Sequence, residues 1–450
     1  MATSCFASFY NYISSSAQDC PLAWNGITVY GAIDIGADYM THGVRFNGAY
    51  PQGVEVLIAK NSQGARYSIA PNGLGQSVAG IKGTKEFAQG WSFDFNLETG
   101  FDPYSMRLAN GLRSLVENNA DILANQSANG DSSRAGQIFN TQAYAGLSNN
   151  TFGALTFGRQ STLTLDGVRV YDPMSATNAF SVIGDSAKTA GVGDTEDARF
   201  NTATKYVLKI GPFRVASTRQ FGGYNQGNGS DGAYEVQIGG DFGGLSVDAI
   251  FSYVKDAVSL ANWSTATKVA TPAEMNTLKA TLSNDSSVLV LVKYTIGPAR
   301  LFGGYEYIRS QNPSDSYANG FTSIGGYPIA ANTVLPGSVT SDDYTINKIL
   351  QVFWTGVRYS ITTNLDVGGA YYRYNQNDYN TSACTGSGVN TSSSKCAGTQ
   401  NAVSAMIDYR LLKRLDIYGG VMYSQVNGGL ASGFLHDRNI TPTIGMRIQF

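Results

Sequence analysis

Asn439–Phe450 reads NITPTIGMRIQF, and its side chains alternate in character. Ile444, Met446, Ile448 and Phe450 are apolar, while Thr443, Gly445, Arg447 and Gln449 are small or polar. A strict period of two gives an extended strand one oily face and one polar face. The stretch ends on a bare aromatic. In a sheet that closes on itself, such a strand pairs with the first one and leaves no edge.

The bulk composition fits that sheet. Only 14% of the 450 residues are charged, well under the usual quarter, and Gly (52), Tyr (27) and Phe (21) are abundant. Mean hydropathy is −0.14, and no run approaches the ~18 apolar residues of a transmembrane helix. A membrane β-barrel has such a composition, because only every second residue faces lipid. The net charge of −2 provides no basic footprint for nucleic acid. Met1 is followed by ATSCFASFYN, which has neither the basic nor the apolar region of a signal peptide. The expectation is a mature, exported form, with a cytosolic protein as the alternative.

The four cysteines form two local couples, Cys5/Cys20 and Cys384/Cys396, each in polar, irregular sequence. Two disulfides in an oxidising compartment suit that arrangement. His42 and His436 have no metal-ligand spacing, so neither a metal nor a cofactor is implied.

Residues 1–25 read as an N-terminal extension closed by Cys5–Cys20, either in the periplasm or tucked into the barrel mouth. From Gly26 to Phe450 the chain is a run of alternating strands. WSFDFNLETGF (91–101) is the clearest, with Trp91, Phe93, Phe95 and Leu97 on one face and Asp94, Asn96 and Glu98 on the other. Hairpins are predicted at 77–87/91–101, 140–148/151–160, 199–210/213–221, 233–242/245–254, 287–296/299–308, 344–360/364–374 and 401–411/415–426. With 26–40 and the last strand they make about 16, an even number.

Tight turns of Gly, Pro or Asn alternate with long connections: 41–76, 102–138, 161–198, 222–232, 255–286, 309–343, 375–400 and 427–438. Long loops are uncommon in a compact soluble domain. Gathered at one rim, opposite short turns, they are expected of an outer-membrane barrel. A soluble sandwich has no reason to place eight of them on one side. Tyr39, Tyr206, Tyr253, Tyr294, Tyr307, Tyr409, Tyr423 and Phe450 sit near strand ends on the apolar face, as interfacial girdles do, although β-propensity alone also places Tyr and Phe in strands. Within 104–126, Leu108, Leu112, Leu115, Val116, Ile122 and Leu123 follow a helical period.

VYGAIDIG near the start, GALTFGRQ before the 161–198 connection, DARFNTATKY after it and the final Phe450 together resemble the Gram-negative general diffusion porins, over residues 26 to 450. The resemblance implies a 16-stranded, antiparallel, up-and-down transmembrane β-barrel with short periplasmic turns and long extracellular loops. It also implies a third loop, 161–198, folded into the lumen, and a homotrimer in outer-membrane lipid and lipopolysaccharide. It carries Arg159 and Arg199 onto a basic constriction wall. Ala32 and Val78 stand where the family often has further bases, and Lys82, inward by parity, takes their place. Counted from Leu155 and Phe157, Arg159 has outward parity, so a bulge is required to turn it inward.

The loop is acidic: Asp166, Asp172, Asp185, Asp194, Glu196 and Asp197 against Arg169 and Lys188. Asp166, Asp172 and Asp185 are the expected pore-lining acids, the bland reading being solvated loop decoration. Acids facing bases across a narrow passage create a transverse field that admits polar solutes. Passive diffusion of small hydrophilic solutes and ions is therefore the expected function. Two alternatives remain. One is a substrate-specific channel for a sugar or organic anion, favoured if inward Tyr30, Tyr144, Tyr372, Tyr374 and Tyr418 align. The other is a barrel anchor or adhesin acting through its outer loops. No G-x-S-x-G, HExxH or P-loop occurs, so an enzyme is not expected.

Overall fold

The computed structural model describes residues 7–16, 18–43, 64–108, 138–183, 198–222, 232–262, 278–314, 323–324, 327–328, 339–379, 381–382, 384, 393–432 and 436–450. Sixteen long antiparallel strands close into one barrel, joined by three short segments, Ala23–Trp24, Arg66–Ile69 and Val339–Thr340. In chain order they are β1 Ile27–Met40, β2 Ser77–Ala88, β3 Trp91–Phe101, β4 Gln142–Asn149, β5 Gly153–Ser161, β6 Arg199–Ile210, β7 Phe213–Gln220 and β8 Gly232–Phe242. Then come β9 Leu245–Asn262, β10 Leu278–Ile296, β11 Ala299–Gln311, β12 Lys348–Thr362, β13 Leu365–Gln376, β14 Gly398–Leu412, β15 Leu415–Gly428 and β16 Arg438–Gln449. The fold is nearly all β, and no described helix is long and apolar enough to cross a membrane.

Each strand pairs with its sequence neighbours, and β1 pairs with both β2 and β16, which closes the ring. The outward faces carry exposed apolar side chains such as Phe93, Phe157, Ile238, Val290 and Ile407. The inward faces carry buried polar groups such as Asp34, Asn96, Asp248 and Ser404. Tight turns lie at one rim, where Gly243 (φ 66) and Gly297 (φ 54) adopt the left-handed conformation that hairpin turns need.

The sequence reading of β9 and β10 stops short. Both run on past 254 and 287, to pair as far as Asn262 and Leu278. A bulge intervenes, with a register shift between Val254 and Ala257 and Asp256 at φ 50. An added residue reverses which face follows, so a strict period-two count loses the strand there. The amphipathic stretch at 104–126 falls mostly outside the described residues.

The closing seam is built from both chain ends. Gly31 and Phe450 exchange two backbone hydrogen bonds of 2.9 Å. Below Phe450 the open edge of β1 is taken by the N-terminal extension: Val29 N–H donates to the Leu22 carbonyl (2.8 Å), and Ala23–Trp24 pair with Ile27–Thr28. Helix α1 (Phe9–Ser14) is tied to the β14–β15 turn by Arg414. That guanidinium donates to the carbonyls of Ser15 (2.9 Å), Ser16 (3.1 Å) and Cys20 (2.6 Å) and lies over the Tyr12 ring. The extension thus sits at the tight-turn rim. Cys20 is disulfide-bonded, and Cys5 lies outside the described residues. Cys384–Cys396 is a disulfide, inside a loop also held by Gln376, whose Nε2 donates to the Cys396 carbonyl (2.8 Å).

Two outcomes follow for stability. A Cβ on Gly31 would stand 2.5 Å from the Phe450 ring and 2.6 Å from the Val78 carbonyl oxygen. Gly31→Val should therefore cost about 1–3 kcal/mol by overpacking and lower the temperature at which the folded band is lost on a heat-modifiability gel; an unchanged temperature would refute the seam. Reducing Cys384–Cys396 should raise protease cleavage within 377–396 and leave that folded band intact.

Candidate functional site

The lumen is shaped by the segment that follows β5. Thr162 caps helix α2 (Leu163–Tyr171), its hydroxyl accepting from Leu165 N–H at 3.2 Å. Leu163, Leu165, Val168 and Tyr171 are buried, against the inner wall. Gly167 allows the close approach, since a Cβ there would meet Leu291 at 2.8 Å and Ile250 at 2.9 Å. From β8, Glu235 accepts from Leu163 N–H (2.6 Å) and the Thr164 hydroxyl (2.7 Å). A carboxylate at a helix N-terminus is favourable. At the other end, Trp354 Nε1 donates to the Tyr171 carbonyl (3.1 Å), and Arg214 Nη2 donates to the Tyr171 hydroxyl (2.6 Å).

Residues 172–183 continue around the inside of the wall. Glycines make the shelf: a Cβ on Gly356 would fall 2.5 Å from Pro173, and one on Gly420 would fall 2.7 Å from Phe180. Tyrosines and a serine on the wall hold the segment. Tyr374 donates to the Val182 carbonyl (2.9 Å), Ser404 to the Phe180 carbonyl (2.7 Å), and Phe180 meets Tyr418 edge-on. Just before Phe180 the segment touches the turn before β2, where Ala179 N–H donates to the Gly73 carbonyl (2.9 Å) and Asn178 Nδ2 to the Asn72 carbonyl (2.8 Å). Asp34 of β1 secures that turn, accepting from Leu74 N–H (2.7 Å) and from the Tyr418 hydroxyl (2.6 Å).

The wall from β8 to β15 is thereby covered, and the open lumen lies against β1–β6. A cavity of about 380 Å³ there is lined by Lys82, Asp94, Asn96, Tyr144 and Thr156 among others. Lys82 is exposed, with Nζ 4.9 Å from the Tyr30 ring centre. Asp166, in the first turn of α2, has a side chain 44% exposed and pairs with Lys205 Nζ, which also donates to the Ser161 carbonyl (3.0 Å).

The structure places Lys82 on this passage and Asp166 beside Lys205, and buries Arg159, Arg199 and Asp172 away from open water. Arg159 and Arg199 are only 5% and 3% exposed. The bulge at Arg159 exists: β5 shifts register against β6 between Gly158 and Gln160, with Gly158 at φ 126 and Thr202 at φ 46. Yet Arg159 stays across from Ala143, itself across from outward Leu97. Its guanidinium donates to the Asn140 carbonyl (2.6 and 2.8 Å) and to Asn201 Oδ1 (2.6 Å), stapling the root of the loop instead of facing open water. Asp172 is fully buried: it accepts from the Tyr372 hydroxyl (2.6 Å) and Ala176 N–H (2.7 Å), and burial pushes its carboxyl above the ordinary value despite those bonds. Asp185 lies outside the described residues. Lys205 and Glu235 went unassigned in the sequence reading. Both have inward parity, but the Thr202 bulge hides the phase for Lys205, and only the folded loop brings the start of α2 onto Glu235.

Asp172→Ala would leave the Tyr372 hydroxyl and Ala176 N–H buried without an acceptor, at about 1–3 kcal/mol. Its channels should show larger and noisier single-channel current, with Asp172→Asn intermediate; currents identical to wild type would show that Asp172 does not anchor the loop.

A family model described as Gram-negative porin matches residues 7–429. An outer membrane porin protein of Bordetella pertussis is 27% identical over 154 residues, 34% of this chain; the match spans about a third (33%) of that protein's length. Among solved structures, an anion-selective porin from Comamonas acidovorans superposes with a TM-score of 0.60 at 15% identity, over 94% of this chain and 99% of that one. In-vitro folded OmpT, an outer membrane protein of Vibrio cholerae, gives 0.59 at 16% identity, over 96% and 99%, and OmpT has also been solved in a trimer form. At these identities the structures share a fold with this chain and no more.

Proposed function

The chain belongs to the Gram-negative porin family, and from that premise we propose that it is an outer-membrane channel through which small hydrophilic solutes and ions diffuse passively, assembled as a homotrimer in lipid and lipopolysaccharide. The observation that carries this reading is the path of residues 163–183. They lie inside the barrel along β8–β15 and leave a polar passage against β1–β6. Lys82 and Asp94 line that passage, with Glu98 hydrogen-bonded to Tyr30 nearby, and Asp166 on the loop pairs with Lys205 on the wall, which supports a charged constriction there. Opposed charges across a narrow, low-dielectric gap order water, so polar solutes that can orient there pass more readily than apolar ones.

The inward tyrosines bear on the sugar-channel alternative. Tyr372, Tyr374 and Tyr418 are fully or almost fully buried beneath the loop, their hydroxyls engaged by Asp172, the Val182 carbonyl and Asp34. They serve as anchors and do not form a continuous aromatic track.

In planar bilayers the purified protein should give ohmic current arriving in steps of three; absence of conductance would overturn the channel reading. Asp166→Asn removes the carboxylate paired with Lys205, so the reversal potential in a potassium chloride gradient should move toward the chloride potential. No movement would remove Asp166 from the constriction.

A further inference from the structure

Beneath the shelf that seats the loop, one pleat nearer the tight-turn rim, three neighbouring strands each turn a cation inward. Lys293 of β10 is two residues past Leu291, Arg300 of β11 is two before Phe302, and Arg358 of β12 is two past Gly356, each of those neighbours being on the inward face. Arg300 and Arg358 stand directly opposite in the ladder, and Lys293 is diagonal to Arg300, whose own partner on β10 is Thr295. Like charges opposed across a ladder destabilise it, so carboxylates would be expected between them.

Most nearby carboxylates already have partners, and none of them is ion-paired to Lys293 or Arg358. Asp241 and Asp248 both bind Arg214, at 2.7 and 2.8 Å. Asp366 binds Arg300 at 3.0 Å; Asp408 lies across from Asp366, its Oδ1 buried without a hydrogen-bond partner, within electrostatic reach of Arg358 but not ion-paired to it. Asp172 is held by Tyr372 and Ala176. Lys293 lies 5.4 Å from the centre of the Tyr171 ring, and Arg358 donates one Nη1 bond to the Ser175 hydroxyl at 2.9 Å. Neither has a carboxylate within ion-pair distance among the described residues, and Arg358 Nε is buried without an acceptor. Ser175 is held over Arg358 by two consecutive left-handed residues, Ser175 and Ala176, both at φ 56. That conformation is strained for residues other than glycine. Because the Ser175 oxygen accepts from Arg358, its proton is available to a further acceptor.

We propose that Lys293, Arg300, Arg358 and Ser175 form a binding station for small dianions bearing carboxylate or phosphate oxygens, at the periplasmic floor of the channel and distinct from the passage beside Lys82. Arg300 is paired with Asp366, whereas Lys293 and Arg358 have no ion pair and can each meet one of two negative groups; the arginines offer planar donor pairs that suit such oxygens, and the Ser175 hydroxyl adds a donor from the loop. The station rests on the porin reading for its supply of solute, since diffusing anions must reach it through the lumen.

Succinate and inorganic phosphate are the probes, with acetate as the monoanion. In bilayers, succinate added on the periplasmic side should reduce potassium chloride current at concentrations at least tenfold below acetate. Lys293→Gln, and the double variant Lys293→Gln/Arg358→Gln, should raise the half-blocking concentration at least tenfold, with folding verified by heat-modifiable migration. Phosphate blocking as well as succinate identifies the shared oxyanion chemistry; block by one alone assigns the station to that dianion. Isothermal calorimetry with succinate on the folded protein in detergent reads the station without conduction. Heat of binding in a protein that does not conduct would sustain the station and overturn the porin reading. A conducting channel with no preference for dianions, or a block unchanged in both variants, would overturn the station.

Discussion

Hydrocarbon offers no hydrogen bonds, so each backbone N–H and C=O in a membrane wall has to find its partner within the wall. A sheet satisfies that only by closing, and closure makes the first and last strands neighbours. In this chain the seam between β1 and β16 depends on Gly31 and Phe450 meeting backbone to backbone, with the aromatic ring lying where a Cβ would otherwise be. The strand directions, the two rims and the enclosed lumen all follow from that pairing. The edge that β16 leaves uncovered is filled by Leu22–Trp24, so the N-terminal extension is part of the wall and not an appendage.

Once the wall is closed, its inner face cannot be packed like a soluble core, because alternation makes it polar. The protein resolves this by laying one segment of chain along part of that face and satisfying its polar atoms individually. Glu235 takes the start of α2, Trp354 and Arg214 take its end, and Tyr372, Tyr374 and Ser404 take the stretch that follows. Glycines at 356 and 420 leave room where the segment lies flat. A buried carboxylate such as Asp172 is tolerated because hydrogen bonds replace its water. The uncovered side of the wall keeps its water and its exposed charges, Lys82 and Asp166 among them. Covering and opening are thus two aspects of one arrangement.

The barrel was legible because its physics is local and repeated. A period-two pattern shows in WSFDFNLETGF and in TIGMRIQF without knowledge of any neighbour, and Gly-Pro or Gly-Gly turns punctuate it. It failed where an added residue reversed the phase, at Asp256. The candidate site was less legible. Acids in a loop following GRQ suggest a constriction, but sequence does not distinguish Asp166, which reaches Lys205, from Asp172, six residues on, which is buried as an anchor. Arg159 has the parity of an outward residue and the family position of a wall base. The structure satisfies neither in full, because the bulge creates a pocket of carbonyls that absorbs the guanidinium.

Sequence alone determined the class of the molecule: strand count, alternation of faces, short turns against long loops, and a chain poor in charge and rich in aromatics. Those properties depend on neighbours along the chain. Tertiary structure decided which inward residues meet water and which meet protein, because that depends on where one loop comes to rest on a distant wall. It stacked His42 on His436, the first and last strands' outer ends, with ring centres 3.7 Å apart, though no spacing in the chain connects them. It also left Lys293 and Arg358 without carboxylates by committing Asp241, Asp248 and Asp366 to other arginines. Coulomb forces and hydrogen bonds act over a few ångströms of space, and a linear sequence does not record that distance.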